Sequence, residues 1–234
     1  MKTFKHSGDL GDIIFSLPTV RALGGGILYL DPLGGLNNPL VKWADKKQTK
    51  LTETAIKSLI PVLEQQDYIK GVELWEGQSV NYDLDLFRKN IKYNNLSDSH
   101  LAAFNLPFTE RDSAWLNIKH PRKIHKPTII SRSVRYHGNY SFWENNLSLL
   151  KDQSVFVGLE KEHEIFEYTF NHKVEYYKTP TILDLAEVLA GSELFVGNQG
   201  LPHALAESMK VNLINEVYRA YPSAVFTRAG AQYV

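Results

Sequence analysis

The first thirty residues confine the chain to one kind of architecture. Thr3 to Ser7 forms a short strand, and Gly8-Asp9-Leu10-Gly11-Asp12 breaks it. From Ile13 to Leu23 apolar residues recur at helical spacing, until the triplet Gly24-Gly25-Gly26 stops the helix. Ile27 to Leu30 is a second strand, ended by Asp31-Pro32. Strand, loop, helix and strand in this span make a βαβ unit, expected to be parallel and right-handed.

The pattern continues less regularly. Leu33 to Lys50 is rich in Gly, Asn, Lys and Pro and reads as a long loop or lid. Thr52 to Gln66 reads as a helix kinked at Pro61, Val72–Trp75 and Tyr82–Phe87 as strands, and Leu96–Phe104 as a helix. The polar stretch from His120 to Pro127 reads as an interdomain linker, dividing the chain into domains 1–120 and 121–234. The pattern then restarts, with strands at Thr128–Ser131, Ser154–Gly158, Val174–Tyr177, Glu193–Val196 and Val211–Asn215. Helices are expected at Phe142–Leu150, Glu160–Phe170, from a Thr179 cap and Pro180 up to Gly191, and at Leu201–Met209. About four βα units make a doubly wound sheet.

Length and composition agree. At roughly 150 residues per domain, 234 residues allow one large α/β unit or two small ones. Apolar residues at 43% and charged residues at 22% exclude whole-chain disorder, collagen and coiled coil. Twenty-six basic and 26 acidic residues leave no net field for nucleic acid or an anionic membrane, although Lys42, Lys46, Lys47 and Lys50 could form a local basic face. The absence of cysteine removes disulfides, thiol nucleophiles and cysteine-ligated metals. No signal-peptide pattern and no run of about 18 uncharged apolar residues is present, so the expected setting is cytoplasmic, with no membrane span.

Two strand-to-helix loops hold the candidate chemistry, since ligands bind at the carboxyl edge of parallel strands. In Ser7-Gly8-Asp9-Leu10-Gly11-Asp12 either carboxylate serves as a general base or caps the helix. In Gly197-Asn198-Gln199-Gly200-Leu201-Pro202-His203 the glycines and the helix N-terminus offer a site for a diphosphate. His203 either donates to a phosphate or leaving group, or is a buried or solvated histidine. Weaker candidates are Arg132, Arg135 and the hydroxyls after the strand at Thr128, for a second phosphate, and Glu160 or Glu162 for a ribose hydroxyl. Asp83-Leu84-Asp85 has the spacing of a metal-binding Asp-x-Asp pair, but also that of one polar strand face. No Walker phosphate loop, Gly-x-Gly-x-x-Gly fingerprint, His-Glu-x-x-His or Gly-x-Ser-x-Gly occurs.

Gly11-Asp12-Ile13-Ile14-Phe15-Ser16-Leu17-Pro18 resembles the N-terminal signature of the ADP-heptose:lipopolysaccharide heptosyltransferases, glycosyltransferase family 9. Ser192 to Ala206 resembles that family's nucleotide-binding segment, and His100 to Leu106 the short helix closing its first domain. The resemblance implies a GT-B-like α/β fold, two Rossmann-like doubly wound domains facing across a cleft. It implies an inverting, metal-independent transfer from a nucleotide-diphosphate sugar to a hydroxyl acceptor, with no separate cofactor. Asp12 would be the general base. Gly11, Ser131, Arg135, Glu160, Asn198, Gln199, Gly200 and His203 would contact the donor, and His203 would also assist catalysis. The family usually carries an aspartate and a hydroxyl residue where this chain has Asn198 and Gln199, and a lysine for which Arg135 is the substitute. The chain is also shorter than typical members between Leu23 and the linker, which implies a small or unusual acceptor. Rival readings are a sugar-nucleotide hydrolase or epimerase, a non-catalytic nucleotide-sugar binding protein, and a nucleic-acid-modifying transferase.

Overall fold

In the computed structural model, which describes residues 1–32, 51–91 and 95–234, the chain divides into two units, Met1–Asn117 and Ile118–Val234. The expected lid and its four lysines lie outside the described residues.

In the first unit, β1 (Lys2–His6), α1 (Leu10–Ala22) and β2 (Gly26–Leu30) form the βαβ unit, with parallel register from Lys2 opposite Gly26 to His6 opposite Leu30. Ile13, Ile14, Leu17 and Val20 give α1 its buried face. Gly25 turns the chain at φ +69°, with its Cα against the Tyr68 carbonyl, so a side chain there meets both strain and backbone. Helix α2 (Glu53–Leu63) is capped by Thr52, whose hydroxyl accepts from the Ala55 amide at 3.1 Å. Pro61 lies in its last turn, where only the Lys57 carbonyl loses a helical partner. After β3 (Ile69–Leu74) and β4 (Tyr82–Asp83), helix α3 (Leu96–Ala103) packs on α1. Among the described residues the sheet is parallel, in the order β3-β2-β1-β4.

The strand expected over Tyr82–Phe87 ends at Asp83, and Leu84–Asn90 is a 3-10 helix. The Asp83 carboxylate accepts from the Asp85 amide at 3.1 Å and folds the chain back into a turn. This places Asp85 in the interior.

The second unit runs β5 (Thr128–Ser131), α4 (Tyr140–Leu150), β6 (Ser154–Phe156), α5 (Glu160–Phe170), β7 (Glu175–Tyr176), α6 (Ile182–Ala190), β8 (Leu194–Asn198), α7 (Leu201–Ser208), β9 (Leu213–Glu216) and β10 (Ala231–Tyr233). Its sheet is parallel, in the order β10-β9-β8-β5-β6-β7. Ile130 and Val196 of neighbouring strands join Trp143, Leu147, Phe156, Phe166 and Val174 in one buried cluster on a face of this sheet.

Two local expectations shift. The cap of α6 is Thr181 rather than Thr179, which leaves Pro180 outside the helix. The Thr181 hydroxyl accepts from the Asp184 amide at 3.0 Å, and Asp184 accepts from the Thr181 amide at 3.1 Å, a reciprocal pair unavailable to Thr179. The polar stretch from His120 to Pro127 is tied to the second unit. The Arg122 amide donates to the Glu187 carbonyl at 2.8 Å, and its guanidinium pairs with Asp184 and Glu187 on α6.

Candidate functional site

In the second unit the strand order reverses between β5 and β8. Strands β6 and β7 are laid down on one side of β5, and β8, β9 and β10 on the other. The loops leaving β5 and β8 therefore diverge, opening a crevice at their carboxyl ends. Ser131, at the end of β5, pairs in register with Gly197 of β8. Strand β8 continues through Asn198, so Gly197 and Asn198 belong to the strand and the loop proper is Gln199-Gly200.

The Asn198 side chain accepts from the Ser133 amide at 2.9 Å and donates to the carbonyls of Ser133 and Arg135 at 3.2 and 2.6 Å. Gln199 donates to the Tyr221 carbonyl at 2.8 Å and accepts from the Tyr218 amide at 2.7 Å. Two adjacent amides thus fasten the loop after β5 and the turn after β9. The side chains at the two positions departing from the family pattern shape the rim of the crevice, and the backbone of Gln199 and Gly200 leads into α7. Gln199→Ala is expected to speed hydrogen exchange of the Tyr218 amide about tenfold, since a net hydrogen bond contributes about 0.5–1.5 kcal/mol. An unchanged rate would show that the turn holds itself.

Gly200 caps α7 and Pro202 occupies its first turn, where the missing proline N–H costs no helical bond. The other first-turn amides and the helix dipole favour an anion at this end. His203 lies fully buried beneath it, its ring edge-on to Tyr233 at 6.1 Å. Burial, helped by the charge of Arg228, pulls its pKa down to about 3. The imidazole is therefore neutral at physiological pH.

The remaining expected donor residues divide. Arg132 is engaged elsewhere: its buried guanidinium meets Glu216 through Nε at 2.7 Å and Nη2 at 3.1 Å, with the rings of Tyr140 and Phe170 at 4.8 and 5.2 Å. It is thus a structural cation, not a phosphate ligand. Arg135 is exposed, beside the ring of Tyr136 at 5.3 Å. Ser131 is buried, and its hydroxyl converges with the Glu162 carboxylate above Gly158. A Cβ built on Gly158 would lie 3.3 Å from Ser131 Oγ and 3.2 Å from Glu162 Oε2. Glu160 is exposed at the start of α5, so Glu162 is the carboxylate that reaches this corner. Burial raises its pKa against the opposing pull of the Leu159 and Val134 amides and Arg135.

In the first unit the strand order reverses between β1 and β4, and the loop from Ser7 to Asp12 leaves the carboxyl end of β1 there. Gly11 and Asp12 are both half-buried in the first turn of α1. An Asp12 carboxylate oxygen accepts from the Asp9 amide at 3.2 Å. The cap expected as one alternative is therefore made. Asp85 lies below the loop, accepting from the Ser7 amide at 3.1 Å and the Ser7 hydroxyl at 2.6 Å, and pairing with Lys5 at 3.1 Å and with Arg88. Burial would raise its pKa, but these cations and the Ser7 hydroxyl hold it well below the usual carboxylate range. A carboxylate bound on so many sides is not a metal ligand. Among the described residues, no three His, Cys, Asp or Glu side chains converge as a metal site would require.

His6, His100 and His203 are all fully buried and their pKa values lie below the ordinary 6.5, chiefly through burial. Below that value the unfolded chain binds protons that the fold excludes, so stability is complete above about pH 6.5 and falls as the pH drops toward about 3. At pH 5 carboxylates are still largely ionised. The denaturation midpoint is expected to fall between pH 7.5 and 5, and a flat profile would contradict the burial of these rings.

The comparisons with known proteins bear on the fold. No protein-family model matches the chain, and no curated protein matches it by sequence. Among solved structures it superposes on a glycosyl transferase family 9 protein from Veillonella parvula DSM 2008, with a TM-score of 0.63 and 10% identity, over 99% of this chain and 85% of that one. The fold is GT-B. The GT-B likeness extends to the dodecameric iron-containing heptosyltransferase TibC in complex with ADP-D-beta-D-heptose, with a TM-score of 0.59 and 12% identity over 98% of this chain. The chain spans only 61% of TibC's length. It extends also to E. coli heptosyltransferase WaaC with ADP, with a TM-score of 0.53 and 14% identity over 100% of this chain and 92% of that one. The described residues hold no group of three His, Cys, Asp or Glu side chains that could hold a metal ion. Nor is any of their helices long and apolar enough to cross a membrane.

The sequence reading missed Glu216 and the pair His6 and His100, and gave Glu162 only as an alternative to Glu160. One signal was present: a titratable side chain is the last residue of β1, at His6, and of β9, at Glu216.

Proposed function

We propose that the chain is a glycosyltransferase that takes a sugar from a nucleotide-diphosphate donor and passes it to a hydroxyl acceptor, by inversion and without a metal. The observation that carries this reading is the crevice between β5 and β8, where the N-terminus of α7 and the Gln199-Gly200 backbone form an anion site in a GT-B fold. The diphosphate rests there, with the exposed Arg135 as a counter-charge and Ser131 and Glu162 at the neighbouring corner for the nucleoside side. Glu160, one turn end away and exposed, is the lesser candidate for that contact.

Asp12 is the base in the first unit, which would serve as the acceptor side over 1–120, while 121–234 would bind the donor. The acceptor oxygen bonds to the anomeric carbon as the bond from that carbon to the diphosphate oxygen breaks. The acceptor's proton passes to Asp12, and the nucleoside diphosphate leaves with its charge held at the amides of α7. His203, neutral and fully buried, stands under this helix end as a support. The relatives solved with ADP and with ADP-D-beta-D-heptose support a nucleotide-diphosphate donor for this chain.

The test is a thermal-shift screen with ADP, UDP, GDP and CDP. A ligand at 100 times its dissociation constant stabilises by about 2.7 kcal/mol. At least one of the four is expected to raise the melting temperature by several degrees; no rise with any of them would defeat the reading.

A further inference from the structure

We propose that His6 is the positioning residue for Asp12: a neutral imidazole, paired with His100, that fixes the Gly8 turn against the Asp12 carboxylate. The proposal rests on Asp12 as the base. His6 ends β1 and is fully buried. Its Nδ1 accepts the Gly8 amide at 2.8 Å, so the ring proton sits on Nε2. Nε2 faces the Nε2 of His100 at 3.5 Å, which makes that nitrogen the acceptor and leaves the His100 proton on Nδ1. Phe87 fixes both rings, at 5.7 Å from His6 and 4.2 Å from His100. Each tautomer is thus set by the one before it, starting from a backbone amide in the loop.

Gly8 is the link to Asp12. A Cβ at this residue would lie 2.6 Å from His6 Cε1, 2.7 Å from Asp12 Oδ2 and 2.8 Å from Asp12 Cβ. One α-carbon therefore separates the imidazole edge from the carboxylate, and no side chain fits between them. The titratable groups around the ring are Lys5 on its own strand, Asp85 and Arg88 on the 3-10 helix, Asp12 on α1 and the neutral His100 on α3. Burial keeps the ring neutral against the opposing pull of the Asp85 carboxylate, and Arg88 and Lys5 act in the same direction as burial. A proton on Nδ1 would displace the Gly8 amide and release the turn.

Two variants and one wild-type measurement test this. In nitrogen NMR of the wild type at pH 7, His6 is expected to show a pyridine-like Nδ1 and a protonated Nε2, with slow exchange of the Gly8 amide. His6→Leu removes the acceptor, whereas His6→Asn places Oδ1 where Nδ1 was. His6→Leu is expected to shift the Asp12 carboxyl titration seen by carbon NMR and to lower kcat about 10–100-fold with the donor KM unchanged, as small misplacements of reacting groups do. His6→Asn should restore most of both. A wild-type Nδ1 bearing the proton, an Asp12 titration indifferent to His6→Leu, or kcat equal in His6→Leu and wild type would each overturn the proposal. If no donor turns over at all, the function proposed above fails, while the tautomer and the Asp12 titration still decide the role of His6.

Discussion

Glu216→Ala is expected to destabilise the unit Ile118–Val234 by about 3–5 kcal/mol, the cost of breaking one side of a buried ion pair. Five donors converge on this carboxylate: Arg132 Nε at 2.7 Å and Nη2 at 3.1 Å, the Gly138 amide at 2.6 Å, the Asn139 amide at 2.9 Å and Trp143 Nε1 at 2.8 Å. Burial would push its pKa up, but Arg132, the Asn139 amide and Trp143 hold it below the ordinary value, so the charge persists in the interior. Truncation leaves a guanidinium that is only 4% exposed without a counter-ion, and three further donors without an acceptor. The loop after β5 would be released with it, because Gly138 and Asn139 are its far end. The double variant Arg132→Met with Glu216→Leu should cost less than Glu216→Ala alone, since apolar replacement of both partners removes the orphaned charge. Urea denaturation measures both. Equal midpoints for wild type and Glu216→Ala would contradict the assignment.

Asp12→Asn is expected to lower turnover by about 10²–10⁴-fold, the usual contribution of a positioned base, while leaving nucleoside-diphosphate binding unchanged. The substitution is conservative for the fold. Asparagine Oδ1 can still accept the Asp9 amide that Asp12 accepts at 3.2 Å, so the start of α1 keeps its cap. Steady-state rates together with calorimetric donor binding separate the two outcomes. Wild-type turnover in Asp12→Asn would reduce Asp12 to the capping role. Loss of donor binding would instead mean that Asp12 contacts the donor, contrary to the roles proposed for the two units.

Much of the scaffold was legible because it is written locally. The helical spacing from Ile13 to Val20, the glycines after it and the apolar run Leu28–Leu30 specified β1-α1-β2 without reference to distant residues. So did Leu194–Val196 followed by a glycine-bounded turn and Pro202. The departures came where a short contact outcompeted the pattern. Asp83 capped the Asp85 amide and turned an apparent strand into a 3-10 helix, and the reciprocal bonds of Thr181 and Asp184 outweighed a proline suited to the first helical position. Strand β10 escaped notice because Ala231–Tyr233 carries too few residues for any period to show.

The candidate site was legible only as loops. Spacing marked Gly8–Asp12 and Gly197–His203, but not how their side chains are used. Asn198 and Gln199 fasten backbone 19 to 65 residues away, and Arg132 meets a carboxylate 84 residues on. Such partners leave no periodic trace. Burial of His203 and the tautomer of His6 are likewise products of packing, and no count of neighbours along the chain reports them.

The most direct measurement is an amide NMR titration of the whole chain with whichever nucleoside diphosphate stabilises it. The account predicts saturable shifts centred on residues 131–135, 158–162 and 197–203, at the carboxyl ends of β5, β6 and β8. Shifts confined to the opposite edge of that sheet, or scattered and unsaturable, would contradict it.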